Sequence, residues 1–383
     1  GYGGGVFCYK RTGTFNLLAG EITTNAVVIQ STEGGVGLGG GVYNEGTFTM
    51  SGDSKISNNF ITSDSSANQY GGGVCNYKFD ASFVMSGGEI SGNYIDSRNG
   101  GRAYGGGVYS NDIFKFTGGT ITGNRVQSED THVFGGGVYN DTDGKFTMSG
   151  GTISNNMTNT NGVSWGGGVC IYHSDFTMSS GTISGNTASG DGGGIYFESS
   201  TTGNFTLSGG TITGNIAKAD GAGICIYANN EYDQMYFHLS GNPYIWDNKT
   251  DNKQSNLYMY HKYDLKSPLT TGAKVGLSLK LVNKDNVMVN VDKSVTDDMS
   301  KYFASDDSAY TLETIGSTII RKSAHTHDWQ FKKEDGNDSK IFVTCAGTGT
   351  CDYQTKPATV TISTAQPVYD CAQITEVPKA VLT

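Results

Sequence analysis

One unit of sequence recurs eight times along this chain and restricts its fold more than any other feature. With variations, each copy runs Gly-Gly-Gly-Val-Tyr, then Phe-Thr-Met-Ser-Gly-Gly, then Thr-Ile-Ser-Gly-Asn. The residue after the glycine triplet is Val6, Val42, Val74, Val108, Val138, Val169, Ile195 and, after Gly-Ala-Gly, Ile224. The closing asparagine is Asn25, Asn59, Asn93, Asn124, Asn156, Asn186, Asn215 and Asn248. A period of about 30 residues stacks small units into a solenoid or propeller instead of folding around one compact core.

The runs inside each copy alternate with period two. Phe146 and Met148 flank Thr147, and Ile153 sits between Thr152 and Ser154. Such short alternation predicts strands with one buried face, punctuated by glycine where the chain turns. No helical period is present within 1–250. A propeller blade needs about 40 residues or more, whereas the shortest copy advances only 26, from Val169 to Ile195. The sequence therefore predicts an all-β parallel β-helix of about eight rungs, spaced by about 4.8 Å. Like positions stack: Val42, Val74, Val108 and Val138; Met50, Met85, Met148, Met178 and Leu207; Ile56, Ile90, Ile121, Ile153, Ile183 and Ile212. The asparagines close a turn, where their amides can bond backbone groups and one another.

The GGGVYN…FTMSGGTISGN rung resembles the right-handed parallel β-helix repeats of large bacterial cell-surface, adhesin-like proteins. It is also similar to polymorphic outer-membrane-protein rungs, which carry GG-A-I and F-x-x-N where this chain has GGGV or GGGI and I-x-x-N. The resemblance covers about residues 1–250. It implies a right-handed coil, and it extends to adhesins, lyases and passive stalks alike.

The chain has 383 residues and a net charge of −10, with 26 basic residues against 36 acidic ones, which disfavours nucleic acid as a partner. No apolar run approaches the length of a membrane span. Gly1 lies within a rung, one residue ahead of its glycine triplet, and Val381-Leu382-Thr383 stops mid-pattern, so the chain reads as a piece of something longer. Cys75, Cys170 and Cys225 take the position held by Tyr43, Tyr109, Tyr139 and Tyr196 in other rungs. That spacing predicts small buried side chains, not disulfides.

The link from each asparagine to the next glycine triplet tapers. It spans 13 residues at 26–38, 11 at 60–70 and at 94–104, 10 at 125–134, 9 at 157–165, then 5 at 187–191 and at 216–220. Insertions at one corner make a wall along one edge of the rod, a common place for a binding face. The long links end in Leu38, Tyr70, Tyr104, Phe134 and Trp165, the short ones in Asp191 and Asp220. Two readings stand for these aromatics: pins that hold long loops to the rod, or platforms for sugar rings. The densest charges lie at Asp96, Arg98 and Arg102 and at Arg125 through Glu129 and Asp130 to His132. They belong to adjacent rungs, so Arg98 or Arg102 could face Glu129 or Asp130; the two readings are a solvated loop with surface ion pairs and part of a site. A lyase would need clustered carboxylates for calcium with a Lys or Arg base, and a hydrolase two or three close carboxylates. The outward Thr147, Thr177 and Thr206 read as exposed strand residues.

Residues 251–322 have more charge and less glycine, and strands such as 274–279 and 286–291 predict a β-rich C-terminal cap. It is similar to the caps that follow such rods in bacterial surface proteins, with PLTTGAKVGLSL and KYFASDDSAYTL carrying the likeness. Residues 323–364 form a small β module in which His325, His327, Cys345 and Cys351 admit three readings: a structural Cys2His2 zinc site, a Cys345–Cys351 disulfide with ordinary surface histidines, or free thiols. Residues 365–383 look like a linker or the opening strand of an Ig-like module. Together these features predict a non-enzymatic, secreted or cell-wall-attached stalk or adhesin-like rod. Its expected partners are host or dietary glycans or surface proteins, held through Tyr70, Tyr104, Phe134, Trp165, Arg98 and Arg102. The alternative is a β-helical polysaccharide lyase or glycoside hydrolase.

Overall fold

A computed structural model describes residues 1–9, 12–30, 34–77, 80–199, 203–227, 236–280, 287–323, 329–334, 337–345 and 358–361; the strands beyond residue 328 are described by their backbone. Among the described residues the chain is all-β with almost no helix and forms a right-handed parallel β-solenoid of about nine turns. It divides into two compact units: residues 1–307 with 312–321, and residues 308–311 with 322–383.

The expected ladders form, and in register. Val42, Val74, Val108, Val138 and Val169 pair in sequence and are fully buried. The methionine column runs Met50, Met85, Phe116, Met148, Met178, Leu207, with Phe116 filling one place. Ile56 through Ile212 form another column. A fourth column is phenylalanine: the rings of Phe48, Phe83, Phe114, Phe146 and Phe176 follow one another at 4.6 to 4.9 Å. That spacing is the distance between hydrogen-bonded strands, so each ring rests on the next without shifting the backbone.

The glycine triplet lets the rungs stack this closely. Gly71 turns the chain with φ of +69°, and a Cβ on Gly72 would lie 2.4 Å from the carbonyl oxygen of Gly106. No side chain other than hydrogen fits there.

The asparagines form a continuous amide ladder. Asn124 donates from both its backbone nitrogen and Nδ2 to Oδ1 of Asn156, at 2.9 and 3.0 Å. Asn156 repeats this toward Asn186, and its Nδ2 also donates to the Ile121 carbonyl at 2.9 Å. Each amide thus satisfies buried backbone groups at a corner that the strand ladders leave unpaired. The series continues through Asn248 to Asn256 and terminates on Asp306, which accepts from the Asn256 backbone nitrogen and Nδ2 at 2.7 and 2.5 Å. A ladder in which every member donates in one direction needs a pure acceptor at its end, and a carboxylate is one.

The parallel sheet also continues past residue 250. Leu257–Met259 pairs with Ile224–Tyr227, Lys274–Leu279 pairs with Leu257–Met259, and Phe303–Ser305 pairs with Lys274–Leu279. Tyr263–Leu265 and Val287–Val291 pair in a further sheet in the same unit. In the second unit the described residues include an antiparallel sheet of Trp329–Glu334, Asn337–Cys345 and Ala358–Thr361.

The links are not the loops that their lengths suggest. Most carry two strands. One follows the asparagine, as in Phe60–Ser63, Tyr94–Ser97 and Arg125–Ser128, within a nine-stranded sheet. The other precedes the glycines: Gly37–Leu38, Gln69–Tyr70, Ala103–Tyr104, Val133–Phe134 and Ser164–Trp165 form a five-stranded sheet. Between these sheets Val27, Ile61, Ile95, Ala103, Val126 and Val133 make a separate small core. The short links have no room for the second strand, so the five-stranded sheet ends at Trp165, which makes only an isolated bridge to Asp191.

Candidate functional site

The five-stranded sheet points Ala103 and Val133 into the small core and turns Tyr104 and Phe134 to the opposite face. There Leu38, Tyr70, Tyr104, Phe134 and Trp165 stand in one register row. They pack against a buried column of Tyr43, Cys75, Tyr109, Tyr139, Cys170, Tyr196 and Cys225. Burial pushes the Cys75, Cys170 and Cys225 thiols well above their ordinary range.

Most ring faces in the row are covered by the next ring. Tyr70 stacks on Tyr104 at 5.2 Å and 8°, and Tyr104 on Phe134 at 5.0 Å and 22°. From the side, Tyr109 and Tyr139 meet them edge-on at 4.8 Å. The order breaks at the next step. Phe134 and Trp165 meet at 47°, and Trp165 instead lies flat on Tyr196, at 4.6 Å and 4°.

A depression of about 180 Å³ lies at this break. Tyr104, Phe134, Tyr139 and Trp165 line it; Arg102 and His132 stand on the link side, and Tyr172 and Glu198 on the side of the strands that follow the glycines. Tyr172 and Glu198 are register partners on adjacent rungs. Tyr196 donates to Glu198 Oε2 at 2.9 Å, as Tyr109 donates to Asp141 Oδ2 at 2.6 Å and Tyr43 to Glu45 Oε1 at 2.9 Å. These phenols are held protonated far above their usual range, first by burial and then by the adjacent carboxylate in each case. Tyr104 is pushed up to about 12 by burial, against the opposing effect of its hydrogen bond with Arg102.

Of the residues singled out from sequence, the fold brings Tyr104, Phe134, Trp165 and Arg102 together and leaves Tyr70 and Arg98 outside the depression. Arg98, just past the strand Tyr94–Ser97, binds Asp96 of that strand at 2.7 Å, and not Glu129 or Asp130 of the next rung. Arg125 lies 4.5 Å over the ring of Tyr94. Tyr172 and Glu198 were legible as a ladder position, three residues beyond Val169 and Ile195. Among the described residues no cluster of three or more His, Cys, Asp or Glu side chains is placed to hold a metal, and no helix is long and apolar enough to cross a membrane. His325, His327 and Cys351 lie outside the described residues, and Cys345 is described by its backbone alone. Compared with protein-family models, curated proteins and solved structures, the chain matches none of them.

Proposed function

We propose that this chain is an extracellular binding rod: a stalk or adhesin-like segment of a secreted or cell-wall-attached bacterial protein that holds glycans at the edge bearing the links, without catalysis. The observation that carries the reading is the depression at the end of the five-stranded sheet. It combines apolar ring surface with a guanidinium, an imidazole and a tyrosine-held carboxylate, the mixture that orients a hydroxyl-rich, partly apolar sugar. The rigid stacking of rungs suits a spacer that carries such a site away from a surface. Host or dietary glycans are the expected partners. A glycan array and a polysaccharide depolymerisation assay on the same sample test this. Retention on glycans without new reducing ends is expected; new reducing ends or unsaturated uronate would establish the lyase or hydrolase alternative instead.

A further inference from the structure

The kind of sugar can be read from one unneutralised charge, given the glycan-binding reading above. Arg98 and Arg102 lie in the same link, yet only Arg98 has a carboxylate, Asp96 at 2.7 Å. Arg102 is exposed, makes no ion pair among the described residues, and lines the depression together with Tyr104. In a chain with 36 acidic and 26 basic residues, a guanidinium beside an aromatic floor and without a carboxylate partner is set for an outside anion. Glu198 lines the same depression, held by the Tyr196 hydroxyl at 2.9 Å and able, when ionised, only to accept. Phe134 and Trp165, inclined to each other at 47°, supply its ring surface.

Three chemistries therefore converge within about 180 Å³: a cation, an apolar ring surface and an acceptor. The space is below the roughly 300–1,000 Å³ of drug-sized pockets and takes one ring. A pyranose with one carboxylate uses all three. Its carboxylate meets Arg102, its C–H face meets the rings, and its hydroxyls donate to Glu198. A neutral sugar leaves Arg102 unused. A polyanion is disfavoured by Glu198 and by the chain's net charge of −10.

We propose that the depression binds a single acidic pyranose, of uronic or sialic type, at the end of a glycan, with Arg102 taking its carboxylate. Calorimetric titration of the full chain with sialyllactose, a glucuronate-terminated disaccharide and lactose tests this. At least one acidic sugar is expected to bind where lactose does not. Arg102→Gln should weaken that binding by at least about tenfold, Arg102→Lys should restore part of it, and Arg98→Gln should leave it unchanged, with melting temperatures equal throughout. Equal binding of lactose, or an Arg102→Gln variant that binds like the parent, overturns the acidic-sugar proposal and leaves the glycan-binding rod standing. Failure to bind any glycan on the array overturns both.

Discussion

Replacing Asn156 by alanine tests how much the amide ladder contributes to the coil. Asn156 is 1 % exposed. Its Oδ1 accepts from the backbone nitrogen and Nδ2 of Asn124, and its Nδ2 donates to the Ile121 carbonyl and to Asn186 Oδ1, all at 2.9 to 3.0 Å. Alanine orphans the Asn124 N–H at about 1–3 kcal/mol, and the other three groups each lose one bond worth about 0.5–1.5 kcal/mol. Because these terms are not additive, a net loss of about 3–5 kcal/mol is expected. Asn25→Ala is the control. Its side chain donates only to Asn59 Oδ1 and the Thr23 carbonyl, so no backbone N–H is orphaned and about 1 kcal/mol is expected. Urea unfolding followed by circular dichroism measures both. A lower m-value for Asn156→Ala would show that the coil splits into two cooperative blocks at that rung. If Asn156→Ala falls within about 1 kcal/mol of Asn25→Ala, the ladder is not a source of stability and the reasoning fails.

Three further outcomes follow from the same geometry. Burial raises the Asp306 carboxyl above its ordinary 3.8, so the folded chain holds that proton more tightly than the unfolded one. Its contribution to stability is therefore greatest below pH 3.8 and is lost as pH rises through the higher folded value. The difference in urea midpoint between wild type and Asp306→Asn, followed across that window, should show this slope, and a difference that rises with pH would contradict it. Cys75, Cys170 and Cys225 are buried with raised thiol pKa values. A thiol reagent with peptide mapping should modify them only after denaturation. Gly72→Ala places a methyl 2.4 Å from the Gly106 carbonyl oxygen and should lower the melting temperature sharply, whereas a change of under about 1 °C would mean that the rungs separate easily.

The inner columns were legible because their signal repeats. Val42 and its successors, or Ile56 and its successors, need only an alignment of the chain with itself, and stacking then fixes their register. The strands within the links were not legible from any single copy. Two residues, as in Gln69–Tyr70, are too few to show a period of two. A signal was nevertheless present across copies. The second residue after each asparagine runs Val27, Ile61, Ile95, Val126, Thr158, Ala188, Ala217 and Thr250, shrinking as the links shorten. Large residues there fill the small core, and small ones mark the rungs where that core has gone. The ring geometry at the candidate site was beyond reach from sequence. The row Tyr70, Tyr104, Phe134, Trp165 looks like four equal platforms, but whether a face is free depends on the tilt of each ring against the next.

That tilt follows from the taper itself. Along the sheet each aromatic lies beneath a successor in its own row, and its faces are spent inside the stack. Trp165 has no such successor, because the link after it shortens to five residues and brings Asp191 to that position. The indole takes the nearest remaining partner, Tyr196 of the neighbouring column, and lies flat on it. Lying on that column, it is inclined at 47° to Phe134 beside the depression. On the same neighbouring rung, Glu198 follows Tyr196 by two residues and is held by its hydroxyl, so the partner that reorients the indole also positions the carboxylate. The change in link length, which in sequence is only a shortening, thus ends a sheet, redirects one ring and leaves that ring beside an acceptor that lines the same depression as Arg102. Lengthening the link at 187–191 to restore a strand with tyrosine in place of Asp191 should let Trp165 return to its own row and close the depression. Loss of sugar binding with the melting temperature unchanged or raised would support this coupling, and retained binding would refute it.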